Sequence, residues 1–529
     1  MSPRFRRVLV LLSALTVLLG GSDAGRAATA PTGRRAPLGR RIEAILRRND
    51  ARRGFWGIVV ARLPEGRILF ERNANHLFEP ASNMKLFTTA AAIEKLGPEF
   101  AFRTTVETAP GPDASGRVGD LFLVGRGDPN IGSRVLPYSP KASETQPADQ
   151  VLRELADQVA AKGVREVAGD IIADDRYYVY EPYGADWSAQ DLEWGYGAPV
   201  TALAFNDNAL ALRILPGRAA GEKAVAQLEP LPDYYSLDNR LVTTPAGTTR
   251  EIFIERMPGA AKLQVWGEVP FDSPQEEEEV SIANPPLLMG ELFRRALEAR
   301  GISVHSRVKV LELARIDAAT LTDPFALRSS RLVLAEHKSL PLAQDIKLIN
   351  KVSQNLHAEM LLRTMAHELN NYGSAEVGLE ILKAFADGLG VEPGETFFAD
   401  GSGLSRQALV TPRAIVKLLV YMARSPHYAV FFDSLPIAGT DGTLGDRFEK
   451  TPLEGRVHAK TGSFQHVSTL SGYMELPSGR RLAFSIMGTA DPRKSKERVQ
   501  TIDAIAQAIY EAWRGPRPRG RPRAGPVKH

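Results

Sequence analysis

The rhythm of apolar and polar positions divides the chain into three stretches. Arg40 to Arg48 carries apolar residues at helical spacing, and two strands of a hairpin follow, Phe55 to Ala61 and Arg67 to Phe70, around Pro64-Glu65-Gly66. Met84 to Leu96 is filled with good helix formers and closed by Gly97-Pro98, a common helix stop. From Phe102 to about Leu327 the pattern changes to short alternating runs broken by Gly and Pro, such as Thr104 to Glu107, Asp120 to Val124 and Leu263 to Trp266. One helix, Leu287 to Arg300, interrupts them, and Glu276 to Glu279 reads as a solvated loop. Helical periodicity returns over Leu342 to Leu369, Ala375 to Leu389 and Thr411 to Ala423, the last with Pro412 in its first turn. Strands are expected at Arg456 to Ala459, Thr469 to Leu476 and Arg481 to Met487, then a closing helix from Ser495 to Trp513. The pattern predicts an α+β fold. An antiparallel sheet flanked by helices (residues 36–102 and 331–513) is split by a long, mostly β insertion (103–330) forming one or two extra domains.

Composition changes this picture mainly at the two ends. Arg4, Arg6 and Arg7 precede the apolar run Val8 to Leu19, and small residues follow. That reads as a secretory signal peptide over residues 1–27, too short for a typical spanning helix. The last residues, 514–529, are rich in Pro and Arg and read as a disordered basic tail. Both ends are basic, so the net charge of +4 conceals an acidic body. Nothing in that body calls for nucleic acid, and membrane contact is at most peripheral. Cysteine is absent, which excludes disulfides, thiol nucleophiles and cysteine-ligated zinc. An exported chain without disulfides fits the periplasm or outer envelope of a bacterium.

Candidate chemistry begins at Ser82, three residues before Lys85 at the head of the Met84 helix. Positions i and i+3 share a helix face, so hydroxyl and amine can meet there. A serine becomes nucleophilic when a neighbouring base takes its proton, and a desolvated lysine can be that base. Spacing alone is weak, because Ser is also a common helix cap. Ser306 and Lys309 have the same spacing in a strand-like run, where they point to opposite faces. Ser353 and Asn355 add a hydroxyl and an amide two residues apart. They could act together only at a helix-to-helix turn, yet periodicity reads straight through them. Val457 to Ser463 has the alternation of a strand edge bearing Lys460, Thr461 and the side-chain-free Gly462. Such an edge can pair with an extended peptide while Lys460 and Thr461 take a carboxylate.

Ser-x-x-Lys, Ser-x-Asn and Lys-Thr-Gly in this order resemble the signature of penicillin-recognising serine acyl-transferases. Asp400 to Arg406, Gly125 to Pro129, Ala202 to Asn208 and Gly439 to Leu444 narrow the resemblance to the DacB-type D-Ala-D-Ala carboxypeptidase/endopeptidase family. The 271 residues from Ser82 to Ser353 fit that family, which inserts extra domains there, and exceed the gap of a β-lactamase. The resemblance implies a β-lactamase/transpeptidase-like catalytic domain without cofactor or metal. Its substrates would be peptidoglycan stems ending in D-Ala-D-Ala, and β-lactams would be covalent inhibitors. It further implies that Ser82 attacks, Lys85 is the general base, Ser353 relays the proton to the leaving amine and Lys460 keeps Lys85 partly neutral. Asn355 would hold the substrate amide and Thr461, beside Gly462, the terminal carboxylate. The backbone N–H groups of Ser82 and Ser463 would form an oxyanion hole, worth about 3–4 kcal/mol. Asp174 would match an acid on the insertion that contacts the stem's diamino acid, the alternative being an ordinary surface-loop carboxylate; Asp400 and Arg406 would brace the site.

Other readings are set aside on residues. The nine histidines include no His-Glu-x-x-His, and His357, Glu359 and His367 are not spaced for a metal. An α/β-hydrolase esterase would need Gly-x-Ser-x-Gly, which Asp400-Gly401-Ser402-Gly403 only imitates. A β-lactamase-related esterase, or a non-catalytic binder of peptidoglycan or penicillin on the same fold, stays open until turnover is measured.

Overall fold

A computed structural model describes residues 37–515, apart from 49, 141–144, 232, 258 and 316–330. The expected signal peptide and nearly all of the basic tail lie outside the described residues.

The architecture is α+β. Its centre is a five-stranded antiparallel sheet in the order Val457–Phe464, Val467–Glu475, Arg481–Thr489, Phe55–Arg62, Arg67–Arg72. The middle strands are buried on both faces, so they read as apolar runs more than as alternation. Trp56, Ile58 and Val60 pack on one side beneath helices α1 (Leu38–Arg48) and α10 (Ser495–Trp513). Val59 and Ala61 face the other side, where the larger helical layer lies. That layer holds α2 (Met84–Leu96), α5 (Leu342–Lys351), α6 (Asn355–Asn370), α7 (Ala375–Gly388), α8 (Pro412–Met422) and α9 (Tyr428–Ser434). The helix from Met84 to Leu96 and the closing helix from Ser495 to Trp513 match the bounds read from periodicity.

The insertion is mostly β, with its own apolar core around Val106, Leu123, Phe205, Leu263 and Phe293. Among the described residues it holds a mixed five-stranded sheet and three three-stranded sheets. Two helices pack in it, α3 (Gln150–Ala161) and α4 (Pro285–Glu298).

Four expectations need correction here. Helix α3 was not anticipated, although Val151, Leu152, Leu155, Ala156 and Val159 form its buried stripe. Glu276–Ser281 is a strand paired antiparallel with Ala209–Leu215, because ladder hydrogen bonds and buried Val280 outweigh the exposure of Glu277 and Glu279. The boundary at 331 comes one strand too early: Leu332–Lys338 pairs with Arg103–Thr108 in the insertion's sheet. Finally, Leu342 to Leu369 is two helices, broken at Val352, Ser353 and Gln354, with Ser353 in the left-handed region at φ 66°.

Candidate active site

Ser82 lies in a short 3-10 turn, Ala81–Asn83, that runs directly into α2. The turn is fixed from two sides. Thr469, on the strand next to the sheet edge, donates to the Pro80 carbonyl at 3.0 Å and accepts from the Asn83 side chain. Gly403, at φ 79°, packs so closely on the Ala81 carbonyl that any Cβ there would collide with it. Asp400 holds that loop by accepting from the backbone N–H groups of Gly403 and Ser405, at 2.6 Å each, and from the Trp187 indole. It braces the site, as expected. Arg406 lies over the Phe464 ring.

Lys85 is fully buried, and its Nζ reaches Ser82 Oγ at 3.0 Å, Asn355 Oδ1 at 2.6 Å and the Ser402 carbonyl at 2.7 Å. Burial lowers its pKa to about 7, and the carboxylates of Asp400 and Glu359 oppose that shift only in part. Lys460, also fully buried, donates to Ser353 Oγ at 2.9 Å and to the Thr461 carbonyl at 3.1 Å. Desolvation, and then the nearby Lys85, hold Lys460 well below the ordinary lysine range. Two amines sharing one desolvated site favour the neutral form of each. Folding therefore joins one serine–lysine pair to a second across 271 residues of sequence.

The edge strand Val457–Phe464 passes directly beside Ser82. A Cβ on Gly462 would stand 2.7 Å from the Pro80 carbonyl and 3.0 Å from the Ser82 nitrogen, so only glycine permits this approach. Thr461 donates its hydroxyl proton to Thr443 at 2.8 Å, and both hydroxyls are open to solvent. Ser463, one residue past Gly462, is exposed. Thr443 belongs to the Gly439 to Leu444 loop, which is anchored where Asp441 grips the buried ammonium of Lys351 at 2.6 and 2.8 Å. Asn355 opens α6, and its amide donates to the Tyr196 carbonyl of the insertion at 2.9 Å.

Hydrogen bonds thus draw Ser82, Lys85 and Asn355 together and join Ser353 to Lys460, while Thr461, Gly462 and Ser463 follow along the edge strand beside Ser82. Asp174 does not join them. Its carboxylate is fully buried on the Ile171–Val179 strand, bidentate to Arg176 at 2.8 Å and paired with Arg331 at 3.3 Å. An acid so enclosed has no face for a substrate, and the expectation for it is withdrawn. Sequence reasoning gave no role to the carbonyls of Ser402 and Tyr196 or to the hydroxyl of Thr443, although Ser402 and Thr443 lie in stretches that carry the resemblance; no local pattern marks Tyr196. No group of three His, Asp or Glu side chains placed to hold a metal occurs among the described residues.

A serine hydroxyl beside a buried amine, a second amine on a neighbouring hydroxyl and an edge strand open to an extended peptide suit acyl transfer at a peptide bond. Comparison with known proteins agrees. Residues 38–509 match the D-Ala-D-Ala carboxypeptidase 3 (S13) family. The chain belongs to that family. It is accordingly a serine peptidase, and its resemblance to DacB-type enzymes is confirmed. A D-alanyl-D-alanine carboxypeptidase of Actinomadura sp. (strain R39) is 35% identical over 522 residues, covering 97% of this chain and 91% of that relative. D-alanyl-D-alanine carboxypeptidase DacB of Haemophilus influenzae is 26% identical over 440 residues, covering 81% and 84%. The crystal structure of penicillin binding protein 4 (dacB) from Haemophilus influenzae superposes with a TM-score of 0.75 at 22% identity, covering 89% of this chain and 99% of that one. That likeness extends the shared fold through the insertion.

Proposed function

We propose that this family member removes the terminal D-alanine from peptidoglycan stems, and cleaves D,D-crosslinks, through an acyl-enzyme on Ser82. Lys85, unprotonated above about pH 7, takes the Ser82 proton as Oγ attacks the carbonyl of the penultimate D-alanine. The backbone N–H groups of Ser82 and Ser463 receive the developing oxyanion. Ser353, held by Lys460, passes a proton to the leaving amine as the C–N bond breaks. Thr461 and Thr443 bind the terminal carboxylate, and Asn355 holds the substrate amide. Water then attacks the ester and frees Ser82. A β-lactam presents a strained amide to the same hydroxyl, but its leaving amine stays tethered, so the adduct persists. Acting on peptidoglycan, the enzyme would work in the cell envelope, which fits the signal peptide expected over residues 1–27.

The observation that carries this reading is the hydrogen bond of a fully buried lysine, with its pKa drawn to about 7, to the hydroxyl of Ser82. Its test is incubation with a pentapeptide stem and with a crosslinked muropeptide dimer, the products resolved by mass. Wild type releases D-alanine and converts dimer to monomers, and Ser82→Ala does neither while keeping its fold. Turnover persisting in Ser82→Ala, or absent from wild type, contradicts the proposal.

A further inference from the structure

The turn that carries Ser353 and Asn355 is gripped from outside its own helices. Ser353 occupies a left-handed backbone conformation, which disfavours a residue with a Cβ and persists only where its surroundings impose it. Gln354 caps α6 by accepting from the Leu356 N–H at 3.0 Å, and its amide nitrogen donates at 3.0 Å to Asp207 Oδ2 of the insertion. The other oxygen of Asp207 meets His357 Nε2 at 2.9 Å, and His357 Nδ1 meets Asp345 on α5 at 2.7 Å. Burial alone would lower the His357 pKa, but the two flanking carboxylates raise it to about 9. The ring is therefore an imidazolium with a proton for each neighbour. Arg134 of the insertion completes the chain by pairing with Asp207.

Asp207 is itself rigidly presented. Asn206, Asp207 and Asn208 have φ of 52°, 58° and 52° in succession. Asn206 accepts from the Ser133 hydroxyl at 2.7 Å, and Asn208 donates to the Pro199 carbonyl at 2.8 Å. Docking the insertion onto α6 does not need these charges, because Tyr178, Val200, Leu356, Met360 and Leu404 already form an apolar junction there. Buried ion pairs add little net stability once desolvation is counted. What the charged chain adds is direction, since it ties Gln354, between Ser353 and Asn355, to both α5 and the insertion.

We propose that Asp207 and His357 are positioning residues for acylation. Acting through Gln354, they hold the turn in the conformation that places Ser353 on Lys460 and Asn355 on Lys85, so that the insertion completes the active site. This inference rests on the acyl-enzyme reading above.

The test measures acylation by a fluorescent penicillin over a range of concentrations, separating the saturating rate from the affinity of the first encounter. Gln354→Glu sets carboxylate against carboxylate. A displacement of about 1 Å at a reacting group can cost about 10²-fold, so the saturating rate should fall about tenfold or more while encounter affinity barely moves. Adding Asp207→Asn to that variant restores a complementary pair, amide oxygen toward His357 and amide nitrogen toward the new carboxylate, and should recover most of the rate. Gln354→Ala, at a partly exposed position that tolerates truncation, should show an intermediate loss with the fold retained. The proposal is overturned if Gln354→Glu and Gln354→Ala acylate at the wild-type saturating rate, or if the double variant is no faster than Gln354→Glu. Wild type that takes no penicillin at all would instead sink the acyl-enzyme reading beneath it.

Discussion

Lys85 shows how one residue type acquires a role from its surroundings. At the surface it would remain an ammonium, but here no water reaches it and its pKa is drawn to about 7. A base acts only when unprotonated, so the second-order rate of acylation should rise with pH through a limb near 7 and decline below it. A pH profile with penicillin as acylating agent measures this. Lys85→Arg keeps the charge but cannot give up a proton, and should slow acylation by about 10²–10⁴-fold at every pH. The same shift makes this lysine's contribution to stability grow from pH 7 toward 10.5, where the unfolded chain still holds a proton that the folded chain has released. At this scale the sequence was legible wherever residues stand in a motif, as for Ser82, Lys85, Lys460 and Thr461. It misled at Asp174, whose enclosure depends partly on Arg331, 157 residues further on.

Elements place these residues, and here periodicity reaches its limit. The α5–α6 break contains neither Gly nor Pro, because distant contacts from Asp207, Lys85 and Tyr196 impose it rather than any local preference for a turn. The final helix and the Met84–Leu96 helix were legible because their signals are local: amphipathic spacing in the first, and helix formers closed by Gly97-Pro98 in the second. The Glu276–Ser281 strand was not, since its partner lies more than sixty residues earlier. A further contact across elements is the pair that joins the end of α5 to the Gly439 to Leu444 loop. Asp441→Ala leaves the Lys351 ammonium buried without its carboxylate, which typically costs about 3–5 kcal/mol. Urea denaturation should register that loss, and an unchanged midpoint would show that the pair is dispensable.

Over the whole molecule, a sheet edge, a helix start and a helix-to-helix turn meet only because the chain leaves the catalytic domain after α2 and returns to it at α5. The long separation of Ser82 from Ser353 made the insertion legible, but not that Tyr196 and Asp207 within it touch the catalytic turn. The central claim is that this assembly makes Ser82 a nucleophile that forms an ester. Intact-protein mass spectrometry after exposure to benzylpenicillin, followed by peptide mapping, tests it most directly. The account predicts one added penicilloyl mass, carried by the peptide containing Ser82 and absent from Ser82→Ala. An unmodified wild-type protein, or an adduct on another residue, would contradict it.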